Sequence, residues 1–390
     1  MYRIQTMNKI SPVGLNRFDA ALYEVGDEVQ DPQGILVRSA KLLDMEFNPS
    51  LLAIARAGVG VNNIPLDRCA AAGIPVFSTP GANANAVKEL VVCAMLMSSR
   101  DIPGAIRWVR EQAASGVEVA TVVEKGKSAF VGPELYKKTL GIIAHLGAIG
   151  SIVANTAISL GMDVYGYDPF LSVDTALRLD RHVHVVKDIN DLYKRADYVT
   201  LHIHYTGKTA HMIDADAIAA MKRGVRVINL ARGEIVDDEA ILAALDTGKV
   251  AVYVTDFPNN RLLTAPHVIA MPHLGASTPE SEQNCAAMAV DELTDYLENG
   301  NIRRSVNLPD MVMDRSGVER LCILHKNVPG MLANITSLFG RDGVNVENLS
   351  NKSRGEYAYT MVDLGTKVAE RVIEDVQHMA NVIRVRVLEW

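Results

Sequence analysis

Arg232 and His273 are the two side chains in this sequence best suited to chemistry on a small acid. Arg232 stands in Asn229-Leu-Ala-Arg-Gly-Glu-Ile-Val-Asp237, directly after an apolar run. A guanidinium fork there can hold a carboxylate through two parallel hydrogen bonds and polarise the adjacent carbonyl. The alternative is an ordinary surface ion pair, and the Asn and Gly around it argue for function. His273 stands in Met271-Pro-His-Leu-Gly-Ala-Ser-Thr278, again after an apolar run. An imidazole titrates near neutrality, so it can take the proton of a hydroxyl as hydride departs and return it in reverse. His202 and His204 flank a strand end and are placed to line the same cleft, whereas His182, His184, His211 and His267 read as surface or structural. No His, Asp and Glu set shows metal-ligand spacing, so no metal is expected.

A third motif binds phosphate. In Leu140-Gly-Ile-Ile-Ala-His-Leu-Gly147-Ala148-Ile149-Gly150, glycines follow a strand and precede a helix starting near Ser151. Glycine lets a backbone approach a pyrophosphate, and the helix N-terminus stabilises its charge. Asp168 closes the next strand, 18 residues after Gly150. A carboxylate there accepts from an adenosine ribose and repels a 2′-phosphate, which favours NAD over NADP. The motif has a fault. Where the first glycine of GxGxxG belongs stands His145, and Ala144-His145 fills a space for one residue. A Cβ and an imidazole at that point predict weakened cofactor binding.

These residues need elements to position them. Gly34–Arg38, Leu52–Arg56 and Ile74–Phe77 read as short buried strands, each followed by a turn and a helical stretch, the alternation of a parallel sheet. Asn85–Arg110 reads as a long helix or helix pair. A second series follows: Leu140–Ala144, Asp163–Tyr167, Tyr198–Leu201, Val225–Leu230, Val250–Val254 and His267–Ala270, enough for a doubly wound sheet. Ser281–Glu298 is an amphipathic helix, and the polar stretch 301–317 reads as a linker. Beyond it, strands at Arg320–Leu324, Tyr357–Leu364 and Asn381–Leu388, with a helix at Met331–Phe339, make a separate small α+β module.

Composition bounds the remaining choices. The 390 residues exceed one ordinary domain. Hydrophobic residues make up 48% but aromatics only 5%, so the core is aliphatic, as parallel strands buried on both faces require. A net charge of −7 without a basic run argues against nucleic acid and anionic membrane as partners. Cys69, Cys93, Cys285 and Cys322 show no CxxC spacing, which suits a reducing compartment, and the cytoplasm is the expected location. Met7 is a candidate start, which would make Met1–Thr6 an extension.

Residues 1 to about 310 resemble the D-isomer-specific 2-hydroxyacid dehydrogenases, on the stretches Ala55-Arg-Ala-Gly-Val-Gly-Val-Asn-Asn63, Thr79-Pro-Gly-Ala-Asn83-Ala-Asn85-Ala-Val-Lys-Glu89, Asn-Leu-Ala-Arg232-Gly and Pro-His273-Leu-Gly-Ala-Ser-Thr. The resemblance implies an α/β chain with two doubly wound parallel-sheet domains. They are a flavodoxin-like substrate domain at 1–95 and 280–310, and a Rossmann NAD-binding domain at 96–279. It implies Arg232 as substrate clamp and His273 as acid and base. Gly147, Ala148, Ile149, Gly150, Asp168, Leu230, Ala231, Asp256, Gly275 and Ala276 then contact NAD together with Arg232 and His273. Arg38, Ser39 and Asn83 match substrate-contact positions, and Arg38 with Lys41 would attract a phosphate. Members acting on 3-phospho-D-glycerate are the most similar. The alternatives are another D-2-hydroxy acid, or a catalytically weak sensor of NAD and amino acids. One departure stands out. The family places a Glu five residues after the Asp at 256, and this chain has Arg261, so no triad is assigned. Residues 318–390 resemble an ACT domain through Ile323-Leu-His325-Lys-Asn327-Val-Pro-Gly330 and Gly343-Val-Asn345-Val. That resemblance implies His325, Asn327 and Asn345 as regulatory positions for L-serine, with a bare dimerisation module as the alternative. A homodimer or homotetramer is expected, through the helix near Val87–Arg110 and the tail.

Overall fold

The computed structural model describes residues 1–144 and 146–390. Their contacts divide into two compact units, one of residues 1–82 with 279–390 and the other of residues 83–278.

In the first unit, β1 (Tyr2–Met7), β2 (Tyr23–Gly26), β3 (Gly34–Val37), β4 (Ala53–Arg56) and β5 (Val76–Phe77) form a parallel sheet in the order β2-β1-β3-β4-β5, a flavodoxin-like winding. Alternate residues of β3 feed opposite faces. Leu36 joins the core under the helix Pro279–Asn299, and Ile35 and Val37 join the core on the other side. Residues 2–7 are not an extension. They make an inner strand hydrogen-bonded on both sides, and a chain begun at Met7 would lose it.

The second unit holds β6 (Thr139–Ala144), β7 (Asp163–Tyr167), β8 (Val183–Val186), β9 (Tyr198–His202), β10 (Val225–Asn229), β11 (Val250–Thr255) and β12 (Val268–Ala270), all parallel. Their order β12-β11-β10-β9-β6-β7-β8 reverses direction between β6 and β9. Ligands of open α/β sheets bind at such a switch point, outside the carboxyl ends of the strands. The stretch read as a helix or helix pair is a pair, Ala84–Ser99 and Ile102–Ala114, broken at Asp101, which is left-handed at φ 41° and caps the second helix. Val87, Val91, Ala94 and Met95 of the first helix pack with Val153, Ala154 and Ala157 of the helix Ala148–Ser159.

The C-terminal strands β13 (Glu319–Lys326), β14 (Val346–Arg354), β15 (Tyr357–Leu364) and β16 (Val382–Glu389) form an antiparallel sheet in the order β14-β15-β13-β16. One face carries the helices Met331–Arg341 and Glu370–Gln377 over Leu321, Ile323, Val362 and Leu364. The other face does not end in solvent. Cys322, Leu324, Tyr359, Met361 and Leu388 belong to the same core cluster as Leu293, Tyr296 and Leu297.

The stretch read as a linker is therefore packed structure. Ile302 and Met311 bridge one another, and Ile302, Leu308, Met311 and Met313 are buried. Its spaced apolar residues, masked by polar neighbours, bind the module to the first unit. Polar contacts close the seam. Arg386 donates to the carbonyls of Tyr296 (3.1 Å) and Leu297 (2.9 Å). Arg320 donates to that of Asn299 (2.8 Å), and the Tyr359 hydroxyl to that of Gly300 (2.6 Å). All four lie at the C-terminus of the helix, where carbonyls run out of intrahelical partners, although that of Tyr296 also accepts the Gly300 N–H at 2.9 Å and that of Leu297 the Tyr2 hydroxyl at 2.8 Å.

Candidate functional site

The chemistry-bearing residues of the second unit gather at the carboxyl ends of β6, β10, β11 and β12. Asn229 closes β10, fully buried, and its amide shapes the turn that follows. Its Nδ2 donates to the Arg232 carbonyl at 2.8 Å and its Oδ1 accepts the Ala231 N–H at 3.2 Å. The backbone of Leu230 to Arg232 is thereby fixed, and the Arg232 side chain is left exposed. β12 hands over to the His273 loop in the same way. Met271 N–H continues the ladder to Thr255, and the Ser277 hydroxyl donates to the His273 carbonyl at 3.3 Å.

Phe257 links the two. The Arg232 guanidinium lies 5.5 Å from the centre of its ring, and the His273 imidazole lies 4.6 Å from the same centre. Sequence reading did not single out Phe257. The only signal for it is its place directly after Asp256.

Asp256 is buried at the end of β11. Its Oδ2 accepts the Gly275 N–H at 3.2 Å, while its Oδ1 is buried with no hydrogen-bond partner among the described residues. Burial holds this carboxyl above the usual range, opposed by hydrogen bonding from the His273 loop and by the charge of His273. An unpaired buried acceptor calls for a donor. The amide of a nicotinamide is such a donor, so the residues present fit that group.

Arg261 does not take the part of the expected Glu. It pairs with Glu239 at 3.3 Å, both side chains largely exposed, at the start of the helix Asn260–Leu263 that Asn259 caps. Among the described residues no carboxylate hydrogen-bonds the His273 ring. The carboxylate whose charge acts on it is Asp256.

At the phosphate loop, the helix Ala148–Ser159 starts from Gly147 with no side-chain cap, so the N–H groups of its first turn, at Ala148, Ile149 and Gly150, have no partner within the helix. Asp168 braces the loop, its Oδ2 accepting the Leu146 N–H at 2.7 Å and its Oδ1 the Phe170 N–H at 2.8 Å. Gly166 makes space here, since a Cβ on it would lie 2.8 Å from the Leu146 side chain. His145, on which the glycine-loop fault turns, lies outside the described residues. Gly275 is buried and Ala276 half-buried behind His273. His202 bonds Thr200 at 3.1 Å at the end of β9, and burial pushes its imidazole down to about 4, so it is neutral at pH 7.

The residues matched to substrate contacts fall in both units. In the first, exposed Arg38 pairs with Glu282 at 2.6 Å, and the Ser39 N–H donates to Asn8 at 3.0 Å. Asn83 opens the second unit, with its Oδ1 buried and unpartnered. Of the regulatory positions, His325 is buried and both ring nitrogens are engaged, with the Lys326 carbonyl and with Thr360, each at 2.8 Å. Asn327 donates to the Gly355 carbonyl and Asn345 to Glu347, both in exposed loops.

The fold has counterparts among known proteins. Residues 92–275 match the D-isomer specific 2-hydroxyacid dehydrogenase NAD-binding domain, and residues 321–384 match the AHAS small subunit-like ACT domain. The chain is 35% identical over 303 residues, 75% of its length, to a D-3-phosphoglycerate dehydrogenase of Methanocaldococcus jannaschii, but spans only 55% of that relative. It is 32% identical over 380 residues to the D-3-phosphoglycerate dehydrogenase of Haemophilus influenzae, covering 94% of this chain and 88% of the other. Among solved structures, the NAD+-bound 3-phosphoglycerate dehydrogenase of Entamoeba histolytica superposes with a TM-score of 0.61 at 25% identity, over 78% of this chain and 98% of that one. This chain belongs to the D-isomer-specific 2-hydroxyacid dehydrogenase family and carries an ACT domain.

Proposed function

We propose that this chain oxidises 3-phospho-D-glycerate to 3-phosphohydroxypyruvate with NAD and answers to L-serine through its ACT domain. The observation that carries the reading is the shared packing of Arg232 and His273 on Phe257, which sets a carboxylate clamp and a proton acceptor side by side. Arg232 holds the substrate carboxylate through its fork. His273 takes the C2 hydroxyl proton, and the buried Asp256 carboxylate stabilises the imidazolium that forms. NAD, when bound, accepts the hydride from C2. Asp256 Oδ1 would accept from its carboxamide, the first-turn N–H groups at Ala148–Gly150 would hold its pyrophosphate, and Asp168 would meet its adenosine ribose. Leu230, Ala231, Gly275 and Ala276 supply the backbone around the nicotinamide. By the family likeness Arg38, Ser39 and Asn83 are substrate-contact positions, and Arg38 with Lys41 would attract a phosphate.

Self-association as a homodimer or homotetramer is part of the same reading. The helices Ile102–Ala114 and Val119–Gly126 bury none of their own residues, and Ile106 and Val109 are 50% and 39% exposed. A cytoplasmic location accompanies it. No described helix is long and apolar enough to cross a membrane.

An NADH-absorbance assay over a panel of 2-keto and 2-hydroxy acids tests the activity. Turnover fastest with 3-phosphohydroxypyruvate supports it. NADH and serine binding without turnover of any acid overturns it in favour of a sensor, the reading that His273's lack of a bonded carboxylate supports.

A further inference from the structure

A cavity of about 310 Å³ opens between the segment after the helix Pro279–Asn299 and the edge strand β14, both in the first unit. Arg303, Arg304 and Lys352 line it with the single carboxylate of Asp310, beside Ile302, Met311 and Val312. Its charges are not used up internally. Asp310 is partly committed to the backbone, accepting the Ser305 N–H at 2.8 Å. Lys352 meets no carboxylate at ion-pair distance among the described residues. Arg303 pairs with Asp295 at 2.8 Å through one nitrogen only.

Arg304 is held at φ 55°, a left-handed conformation that side chains with a Cβ rarely adopt and that concentrates at ligand-holding positions. It pairs with Glu292 at 3.0 Å, a carboxyl that is buried with its second oxygen unpartnered. Burial pushes Glu292 up to about 8 against the pull of Arg304, with Asp310 and Asp291 raising it further. Arg304 spends only Nη1 on Glu292, which leaves the rest of its guanidinium fork for a further acceptor.

We propose that this cavity is a binding site for a small phosphate-class dianion, gripped by Arg303 and Arg304 from one wall and Lys352 from the other, that braces the ACT sheet against the rest of its unit. Two planar forks and a point charge suit a tetrahedral oxyanion better than a flat carboxylate. The volume holds a phosphate or a short phosphate monoester. Arg354, two residues on from Lys352, already bonds the Ser305 carbonyl at 2.9 Å across the same seam, so an anion would extend an existing contact. The site uses none of the residues assigned to dehydrogenation and stands or falls apart from that reading.

Calorimetric titration of the full chain with inorganic phosphate tests it, with Lys352→Met, Lys352→Arg and Arg38→Met as variants. Lys352 lies on an exposed edge strand, so its replacement leaves the fold intact, checked by an unchanged Tm. Lys352→Met is expected to bind phosphate in this cavity about tenfold more weakly, the loss of one charge-assisted hydrogen bond, with Lys352→Arg near the parent and Arg38→Met removing only phosphate held at the proposed substrate site. Phosphate affinity unchanged in Lys352→Met, lost only in Arg38→Met, or absent from the parent chain overturns the proposal.

Discussion

The carboxylate of Asp256 accepts the backbone N–H of Gly275, two residues beyond His273. One bond thus ties the loop bearing His273, the proposed acid–base group, to the end of the neighbouring strand. The imidazole gains a fixed position and a nearby negative charge from a residue that is not the usual partner.

His273→Ala should lower kcat by about 10²–10⁴-fold, the usual worth of a positioned acid–base group, and leave NADH affinity close to the parent. Steady-state rates together with fluorescence titration of NADH separate the two. A variant that retains its rate would place the base elsewhere.

Replacing Ala144-His145 by a single Gly should tighten NADH binding, because a residue without Cβ restores close approach of the loop to the pyrophosphate. Titration of NADH reads the change directly. Equal or weaker affinity would show that the longer loop is not what limits binding.

Glu292 gives the stability a pH slope. Its carboxyl rises from 4.5 to about 8 on folding, through burial above all. The folded chain keeps this proton up to near pH 8, whereas the unfolded chain releases it near 4.5, so the folded state binds more protons between those values. Stability from this group is full below pH 4.5 and falls as pH rises through 8, by a few kcal/mol at most. Glu292→Gln should flatten the decline of Tm between pH 6 and 8.5. Parallel Tm curves for parent and variant would remove Glu292 as the cause.

Arg320 and Asp363 form a fully buried ion pair through two bonds of 2.5 and 2.7 Å. Arg320→Met should destabilise by about 3–5 kcal/mol, because it strands a buried carboxylate. Chemical denaturation measures it. Arg320→Met with Asp363→Leu should recover much of the loss, and failure to recover would mean that the carbonyl bonds of Arg320, not its charge pairing, set the cost.

Most strands were legible in the sequence because parallel strands buried on both faces read as unbroken apolar runs, as in Gly34–Val37 and Val225–Asn229. The strands that escaped are those with little to bury. Val183–Val186 and Val346–Arg354 lie at sheet edges with mostly exposed side chains, and only Ile4 of Tyr2–Met7 is fully buried. That Arg232 and His273 follow the ends of strands in one sheet was legible from the apolar runs before them. Their common ground on Phe257 was not, since it arises from two strand ends about forty residues apart in sequence meeting a third. The stretch 301–317 misled for a related reason. Its buried residues are separated by polar ones, and only the tertiary contact shows which side faces inward.

The seam at Tyr296–Gly300 has a practical outcome for anyone re-engineering regulation in this chain. Because Arg386, Arg320 and Tyr359 terminate a helix that belongs to the other sheet, the ACT module is not an interchangeable cassette. A foreign effector domain spliced in at residue 317 would inherit the unbonded carbonyls of Asn299 and Gly300 and an uncovered apolar floor, and would have to bring its own donors to finish its host.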